Sequence, residues 1–135
     1  MSNKAISLVL GSGGARGLAH VGVIRWLEEH GHKIRSISGC SIGSFIGGAY
    51  ATGSLDAIVD WMENLTKKDI YSMLDLSFSR DSLVKGDRLA EVIQSKIGTG
   101  LIEDLPIKFT AVAADIATEK EHWFQTGPID QAIRA

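Results

Sequence analysis

The amino-acid sequence predicts an α/β domain in which a mainly parallel sheet is flanked by helices. Residues 6–10 and 34–38 are short apolar runs followed by glycine, as buried parallel strands commonly are. A helical segment separates them, which gives the strand–helix–strand order of a parallel crossover. Residues 44–52, rich in glycine and alanine, then favour a helix that packs close to the sheet. A chain of 135 residues is expected to form one domain, residues 1–135.

The composition excludes several classes of protein. With 44% hydrophobic residues and a net charge of −2, the chain can build a core but lacks the basic face that nucleic-acid binding requires. Its one cysteine, Cys40, cannot form an internal disulfide, and no Cys/His spacing predicts a metal site. The run at residues 6–10 is too short for a signal peptide or a membrane span, so we expect a soluble, cytoplasmic protein.

The next elements are assigned from apolar spacing and glycine stops. Residues 17–29 carry apolar side chains around most of a helix circumference, which predicts a largely buried helix that stops at Gly31. Ser54 is the expected N-cap of another helix, because residues 55–65 repeat apolar side chains at helical spacing.

The second half of the chain predicts a further helix and a hairpin. Asp87 is expected to cap a helix that stops at Gly98. Residues 108–114 predict a strand ended by Asp115, and residues 121–124 predict the strand that returns beside it.

A G-x-S-x-G pattern, formed by Gly39, Ser41 and Gly43, follows the second predicted strand. This spacing is typical of a nucleophile elbow, a strand-to-helix turn so tight that the flanking positions must lack side chains. The serine hydroxyl then projects at a helix N-terminus, where developing negative charge is favoured. The strand before the pattern and the small residues after it favour an elbow over an ordinary turn.

A glycine-rich loop, residues 11–17, lies between the first strand and the first helix; it reads Gly11, Ser12, Gly13, Gly14, Ala15, Arg16, Gly17. Glycines at such a place let backbone amides point at an anion. The loop fits neither nucleotide phosphate motif, because G-x-G-x-x-G requires glycine at position 16 and the P-loop requires lysine at position 17.

The two motifs are expected to meet at one edge of the sheet. The crossover between them makes both strands parallel, and neighbouring strands lie about 4.8 Å apart. The amides of Gly13 and Gly14 would then reach the oxygen of a carbonyl attacked by Ser41. Backbone donors beside an exposed serine are the requirement for acyl transfer.

Together these residues resemble the patatin-like phospholipase family. The resemblance is most specific over residues 8–53, which hold the glycine-rich loop, the segment Leu18-Ala19-His20-Val21-Gly22-Val23 and the elbow. Residues 85–87 and 109–115 also look like the bacterial members of the family.

The resemblance implies a patatin-like α/β fold and the activity of a serine lipid acyl hydrolase, a phospholipase or esterase with a Ser–Asp dyad. It assigns Ser41 as the nucleophile and Gly13 and Gly14 as the oxyanion hole. It further implies a lipid or acyl-ester substrate, transient contact with a membrane surface, and no metal or organic cofactor.

The sequence departs from the family pattern at two places. Ser12 stands where the family usually has glycine, which changes the expected loop geometry. The family's catalytic aspartate belongs to an Asp-Gly-Gly or Asp-Gly-Ala motif well after the elbow, and the chain has no Asp-Gly pair. We therefore expect the N-terminal part of a patatin-like domain, with the aspartate beyond Ala135 and little or no hydrolysis by this chain alone.

Single residues leave alternatives open. Asp115 is the in-chain candidate for the base, although a turn residue that bonds backbone amides is the favoured interpretation. Arg16 either holds the loop through an ion pair, which is favoured, or binds an anionic headgroup. A Ser–His–Asp triad is disfavoured, because only His122 follows the elbow and it lies in the outer strand of the hairpin.

Two other functions compete with hydrolysis. The chain is alternatively a non-catalytic module that binds phosphate or a nucleotide through residues 11–17, or an inactive regulatory relative of the hydrolases. The sequence leaves the oligomeric state open: an unfinished domain would expose apolar surface, through which the chain could pair with a copy of itself.

Overall fold

The computed structural model describes residues 4–69 and 89–135. These residues build a sheet of order β1-β2-β3-β4, in which β1, β2 and β3 are parallel and β4 returns antiparallel to β3. The strands are β1 Ala5–Leu10, β2 Lys33–Gly39, β3 Lys108–Asp115 and β4 Lys120–Phe124. The predicted mainly parallel sheet with flanking helices is therefore confirmed.

The helices that pack with the sheet include α1 Ala19–Glu29, α2 Ile42–Ala51, α3 Leu55–Glu63 and α4 Ile129–Arg134. Shorter helical turns cover Gly14–Leu18, Ile93–Ile97 and Ile102–Asp104. Buried side chains, mainly isoleucines together with Phe45 and Phe109, form the core between helices and sheet; the isoleucines include Ile24, Ile37, Ile46, Ile58 and Ile129. The alternation of β-strand side chains places Leu10, Ile37 and Phe109 on the helix-covered face.

The prediction that residues 6–10 form a buried strand is wrong in its burial. The strand is present, but β1 lies at one edge of the sheet and has β2 as its neighbour in the described residues. Leu10 is buried, whereas Val9 is 78% exposed. The reason is that the helices described here cover the face that carries Leu10, and Val9 alternates to the other face.

The helix predicted for residues 17–29 begins later and is more exposed than expected. Residues Gly14–Leu18 form a 3₁₀ turn, and α1 starts at Ala19. Ile24 is the fully buried residue of α1, while Val23 is 47% and Trp26 is 53% exposed. Apolar content around a helix indicates burial only where neighbours cover every side, and α1 lies on the outside of the described structure.

Several boundaries agree with their sequence signals. Gly31 ends the α1 region at φ 77°, and Gly98 ends the turn Ile93–Ile97 at φ 98°. Ser54 is the N-cap residue of α3, but its hydroxyl accepts a bond from Thr52 Oγ1 at 3.1 Å instead of bonding the helix. The predicted hairpin of residues 108–124 is confirmed, whereas the cap at Asp87 and residues 85–87 lie outside the described residues.

Candidate active site

Ser41 lies at the tip of the turn between β2 and α2, with a backbone that side chains rarely adopt. Its φ is 53° and its ψ is −125°. The carbonyl oxygen of Ser41 accepts bonds from the amides of Ser44 and Phe45, at 2.9 and 3.1 Å, and from the Ser44 hydroxyl at 2.9 Å. Strain of this kind persists only where the surroundings fix it, and it is characteristic of a functional elbow.

The two glycines of the elbow have no room for a side chain. A β-carbon on Gly39 would collide with the carbonyl group of Gly43, and one on Gly43 would collide with the carbonyl oxygen of Leu10. The steric explanation of the G-x-S-x-G spacing therefore holds at both glycines. Glycine is needed at both positions because the backbones of the strand and the helix are in direct contact there.

Helix α2 begins at the elbow and lies in the core. Every residue of α2 except Tyr50 is buried. A β-carbon on Gly47 would lie 2.6 Å from Ile37 Cγ2, and one on Gly48 would lie 2.5 Å from Ile133 Cδ1. The small residues at 47–49 thus let α2 lie against β2 and α4, and that packing holds the N-terminal end of α2 beneath Ser41.

The glycine-rich loop and the elbow lie side by side. Leu10 pairs with Gly39 in the parallel register, and the Cys40 amide donates to the Leu10 carbonyl at 3.2 Å. At the far end of the loop, a β-carbon on Gly17 would collide with the side chain of Ile42. Both ends of the loop therefore contact the elbow, as the expected meeting of the two strand ends requires.

Within the loop, the backbone turns at the glycines. Gly14 has φ 53°, a conformation that glycine adopts without strain, and the Gly13 carbonyl accepts a bond from the Arg16 amide at 3.2 Å. Gly11, Ser12 and Gly13 are exposed. The loop is therefore an open backbone turn beside Ser41, with the side chain of Ser12 exposed to solvent.

The guanidinium of Arg16 is exposed and pairs with no described residue. The favoured sequence interpretation, an ion pair that holds the loop, is therefore not found in residues 4–69 and 89–135. The loop is held instead by backbone contacts with the elbow and by the bond from His20 Nε2 to the Gly11 carbonyl, at 2.9 Å.

A cavity of about 630 Å³ opens beside Ser41. Its walls come from α2, α3, the turn Ile93–Ile97, the β3–β4 hairpin and α4, and most of them are apolar: Phe45, Trp61, Met62, Ile93, Val112 and Ile133. The glycine-rich loop contributes none of the lining residues. Ser41 thus borders an apolar space of the size that holds small-molecule ligands.

Asp115 lies at the end of β3 and is not among the residues that line the cavity with Ser41. In the register Gly39 pairs with Ala111, so Asp115 lies four residues further along, about 13 Å at the usual rise of a strand. Its carboxylate accepts bonds from the Thr118 hydroxyl at 2.7 Å and the Ala117 amide at 2.9 Å. These bonds lower the pKa of the Asp115 carboxyl, and the bond from the Thr118 side chain has the largest effect. The lower pKa makes the carboxylate a weaker proton acceptor.

Glu121 is the carboxylate that the sequence reasoning did not single out. It is the one described carboxylate side chain among the residues that line the cavity with Ser41, and it lies on β4 opposite Ala114. Strand alternation in the predicted hairpin could have grouped Glu121 with the residues on one face of the hairpin. Which face lies toward Ser41, however, depends on the tertiary structure. His122 does not line the cavity and packs on Phe124, with 4.4 Å between ring centroids.

The fold and the elbow first define a class. A parallel sheet ends in a glycine-rich loop and a strained serine on adjacent strands, which is the arrangement of α/β proteins that use a serine nucleophile.

Comparison with known proteins narrows this class to a family. The model of the patatin-like phospholipase family matches residues 8–135. The chain belongs to the patatin-like phospholipase family, as its motifs indicate.

Relatives in bacteria, a nematode and a yeast are similar along the whole chain. An uncharacterized NTE family protein of Mycobacterium tuberculosis is 44% identical over 134 residues, which are 99% of this chain and 37% of that protein. A patatin-like phospholipase domain-containing protein of Caenorhabditis elegans is 38% identical over 143 residues, and the lysophospholipase NTE1 of Candida albicans is 37% identical over 139 residues. The match spans 10% of each of these two proteins.

Proposed function

We propose that this chain carries the nucleophile and the oxyanion hole of a serine hydrolase that cleaves acyl esters of lipids. The observation that carries the proposal is the strained Ser41, with φ 53°, beside the glycine-rich loop and at the rim of an apolar cavity. Family membership and relatives named as phospholipase and lysophospholipase support the same chemistry.

The reaction proceeds by transfer of the acyl group to the serine. Ser41 Oγ attacks the ester carbonyl carbon and gives its proton to a carboxylate, while the carbonyl oxygen gains negative charge. The amides of Gly13 and Gly14 donate to that oxygen. The carbon–oxygen bond to the alcohol then breaks, the alcohol takes the proton, and water later hydrolyses the acyl-Ser41 ester.

The proton acceptor is a carboxylate in this mechanism. Among the described residues, Glu121 is the candidate because it lines the cavity of Ser41, although its side chain is exposed in the absence of substrate. Asp115 is the weaker candidate, since its carboxylate is bound to the turn that follows β3. A free carboxyl group has a pKa near 4, so the acceptor must bond the hydroxyl directly in a dry site.

The substrate is a lipid ester whose acyl chain enters the cavity. The apolar walls match a hydrocarbon chain, and a carbonyl group at the rim lies where Ser41 reaches it. Such a substrate implies transient contact with a membrane surface. Within residues 4–69 and 89–135, no helix is both long and apolar enough to cross a bilayer.

Covalent labelling with a fluorophosphonate tests the proposal directly. The probe phosphonylates an activated serine, so we expect labelling of the protein and its complete loss in Ser41→Ala. Ser95→Ala, which changes an exposed hydroxyl bonded to the Val92 carbonyl, is the matched control and keeps full labelling. The measurement is made on this chain and on the complete open reading frame that contains it.

The outcome also distinguishes the competing functions. If neither form is labelled and inorganic phosphate raises the melting temperature equally in wild type and Ser41→Ala, the phosphate-binding alternative replaces hydrolysis. In labelled protein, Glu121→Gln tests the in-chain acceptor and Asp115→Asn is its control. Slower labelling in Glu121→Gln alone assigns Glu121, whereas unchanged rates in both assign the acceptor to another carboxylate.

A further inference from the structure

We infer that His20 is a positioning residue that holds the glycine-rich loop in register with Ser41. His20 lies at the second position of α1, and its Nε2 atom is 2.9 Å from the carbonyl oxygen of Gly11. The inference rests on the proposed function only for its effect on rate. Its structural part, the placement of the loop, stands independently of catalysis.

The Gly11 carbonyl is a contact point between three elements. A β-carbon on Gly43 would lie 2.8 Å from the Gly11 oxygen, so that oxygen packs against the backbone of α2 at the elbow. On another side it accepts the hydrogen bond from His20 of α1. The carbonyl group is therefore fixed between the helix that precedes β2 and the helix that follows it.

Gly11 also starts the stretch that presents the candidate donors. Gly13 and Gly14 follow within three residues, and Gly14 lies at φ 53°. Because Ser12 and Gly13 are exposed and the Arg16 side chain has no partner among the described residues, few other side-chain contacts restrain this end of the loop. A rotation of the peptide at Gly11 would thus move the amides of Gly13 and Gly14, which the proposed function assigns to the oxyanion hole.

The contact requires a particular protonation of the imidazole ring. A carbonyl oxygen only accepts hydrogen bonds, so His20 must carry a proton on Nε2. The Nε2–H tautomer satisfies this requirement, and so does the doubly protonated ring. A glutamine side chain ends in an N–H donor and preserves the bond, whereas leucine removes it at similar volume.

His30 provides a matched control on the opposite end of α1. Its Nδ1 atom is 2.8 Å from the Trp26 carbonyl oxygen, which is the same kind of ring-to-backbone bond. The ring also stacks on Trp26, with 3.9 Å between centroids. This contact does not involve the glycine-rich loop, so changes at His30 affect the helix without affecting the loop.

The test compares His20→Leu, His20→Gln, His30→Leu and wild type by two readouts. The first is the backbone amide resonances of Gly13 and Gly14, which report loop placement without any need for activity. The second is the saturation kinetics of fluorophosphonate labelling, which separate probe binding from the bond-forming step. Thermal unfolding of each variant is recorded beside them.

We expect His20→Leu to shift both glycine resonances and to slow the bond-forming step by about 10- to 100-fold, because displaced donors stabilise the oxyanion poorly. Probe binding should stay unchanged, His20→Gln should restore most of the rate, and His30→Leu should leave both readouts at the wild-type values. If wild type is not labelled but the resonances shift in His20→Leu alone, the hydrolase proposal fails and the positioning role stands.

Three results would overturn the inference. The first is that the Gly13 and Gly14 resonances of His20→Leu equal those of wild type. The second is that, where wild type is labelled, His20→Leu is labelled with unchanged kinetics. The third is equal effects of His20→Leu and His30→Leu on every readout, which would show general destabilisation of α1. If His20→Leu does not fold, the tautomer of His20 is measured in wild type instead. A neutral ring protonated on Nδ1 has no Nε2 proton to donate, so that result would rule out the bond to Gly11.

Discussion

The carbonyl oxygen of Leu10 occupies the space that a β-carbon on Gly43 would need, and it also accepts the Cys40 amide. One backbone oxygen of β1 therefore sets both the hydrogen bonding and the steric limit of the elbow. These contacts leave no room for a wider turn, and Ser41 therefore adopts the strained φ of 53°. At the scale of residues, the absence of side chains at 39 and 43 positions the serine.

A pair of glycine substitutions tests this steric role. Gly43→Ala should destabilise the protein by about 3 kcal/mol, because the methyl group collides with the backbone of β1 and only movement of α2 relieves it. Gly22→Ala is the control within a helix, since nothing lies within 4 Å of its added carbon. It should stabilise by about 0.5–1 kcal/mol, as alanine does in a helix interior.

Denaturant unfolding of both variants measures the difference in free energy. Equal stability of Gly43→Ala and wild type would show that the elbow accommodates a β-carbon at position 43, which would contradict the steric role.

At the scale of elements, helix α2 connects the parts of the site. It packs on β2 through Gly47 and on α4 through Gly48, and its one residue that is not buried, Tyr50, reaches α1. The Tyr50 hydroxyl donates to Glu28 Oε1 at 2.7 Å. Arg25 and Asp56 form an exposed ion pair at 3.2 Å between α1 and α3, which contributes little to stability. The bond from Tyr50 is therefore the more informative link between helices.

That link predicts a dependence of stability on pH. Burial, and then the bond to Glu28, raise the pKa of Tyr50 from 10.0 to about 12. The folded state keeps the proton while the unfolded state loses it, so this contribution is complete below pH 10 and falls as the pH rises toward 12. Tyr50→Phe should remove that part of the pH dependence, measured by denaturant unfolding across this range.

Ser95→Ala, which changes an exposed hydroxyl bonded to the Val92 carbonyl, is the control for the same experiment and should keep the wild-type loss of stability between pH 10 and 12. Identical curves for Tyr50→Phe and wild type would mean that Tyr50 titrates alike in both states.

At the scale of the whole molecule, the cavity beside Ser41 exists because elements distant in sequence converge. Phe45 of α2, Trp61 of α3 and Ile133 of α4 lie on its walls together with the extended part of the β3–β4 hairpin. β3 continues four residues beyond the level of Gly39, and this extension brings Val112 and Ala114 to the cavity. The hairpin thus forms a wall of the proposed acyl site.

Filling the cavity should discriminate between substrates by chain length. Ala114→Phe places a ring on the cavity wall, so the rate of labelling or hydrolysis should fall for long acyl chains and stay unchanged for acetyl esters. Ala117→Phe, in the exposed loop after β3, is the control and should leave both rates unchanged. The measurement is kcat/KM for p-nitrophenyl esters of increasing length, in the form of the protein that is active.

An equal fall for short and long esters would show that the ring disturbs the serine itself. An unchanged preference would place the acyl chain elsewhere.

The sequence by itself determined the elbow, the glycine-rich loop, the parallel crossover and the hairpin. Each of these rests on local rules: glycine where backbones touch, alternation in strands, and the fixed hand of a crossover. These rules were sufficient to bring Ser41 and the loop to one edge of the sheet.

Only the tertiary structure decided burial and the surroundings of the serine. It left Val9 and Trp26 exposed, bonded Asp115 to the turn after β3 and brought Glu121 to the cavity. Burial depends on which elements cover a face, and the position of a carboxylate depends on strand register across distant segments. Both depend on contacts between residues far apart in the sequence, and the pattern of neighbouring residues does not specify those contacts.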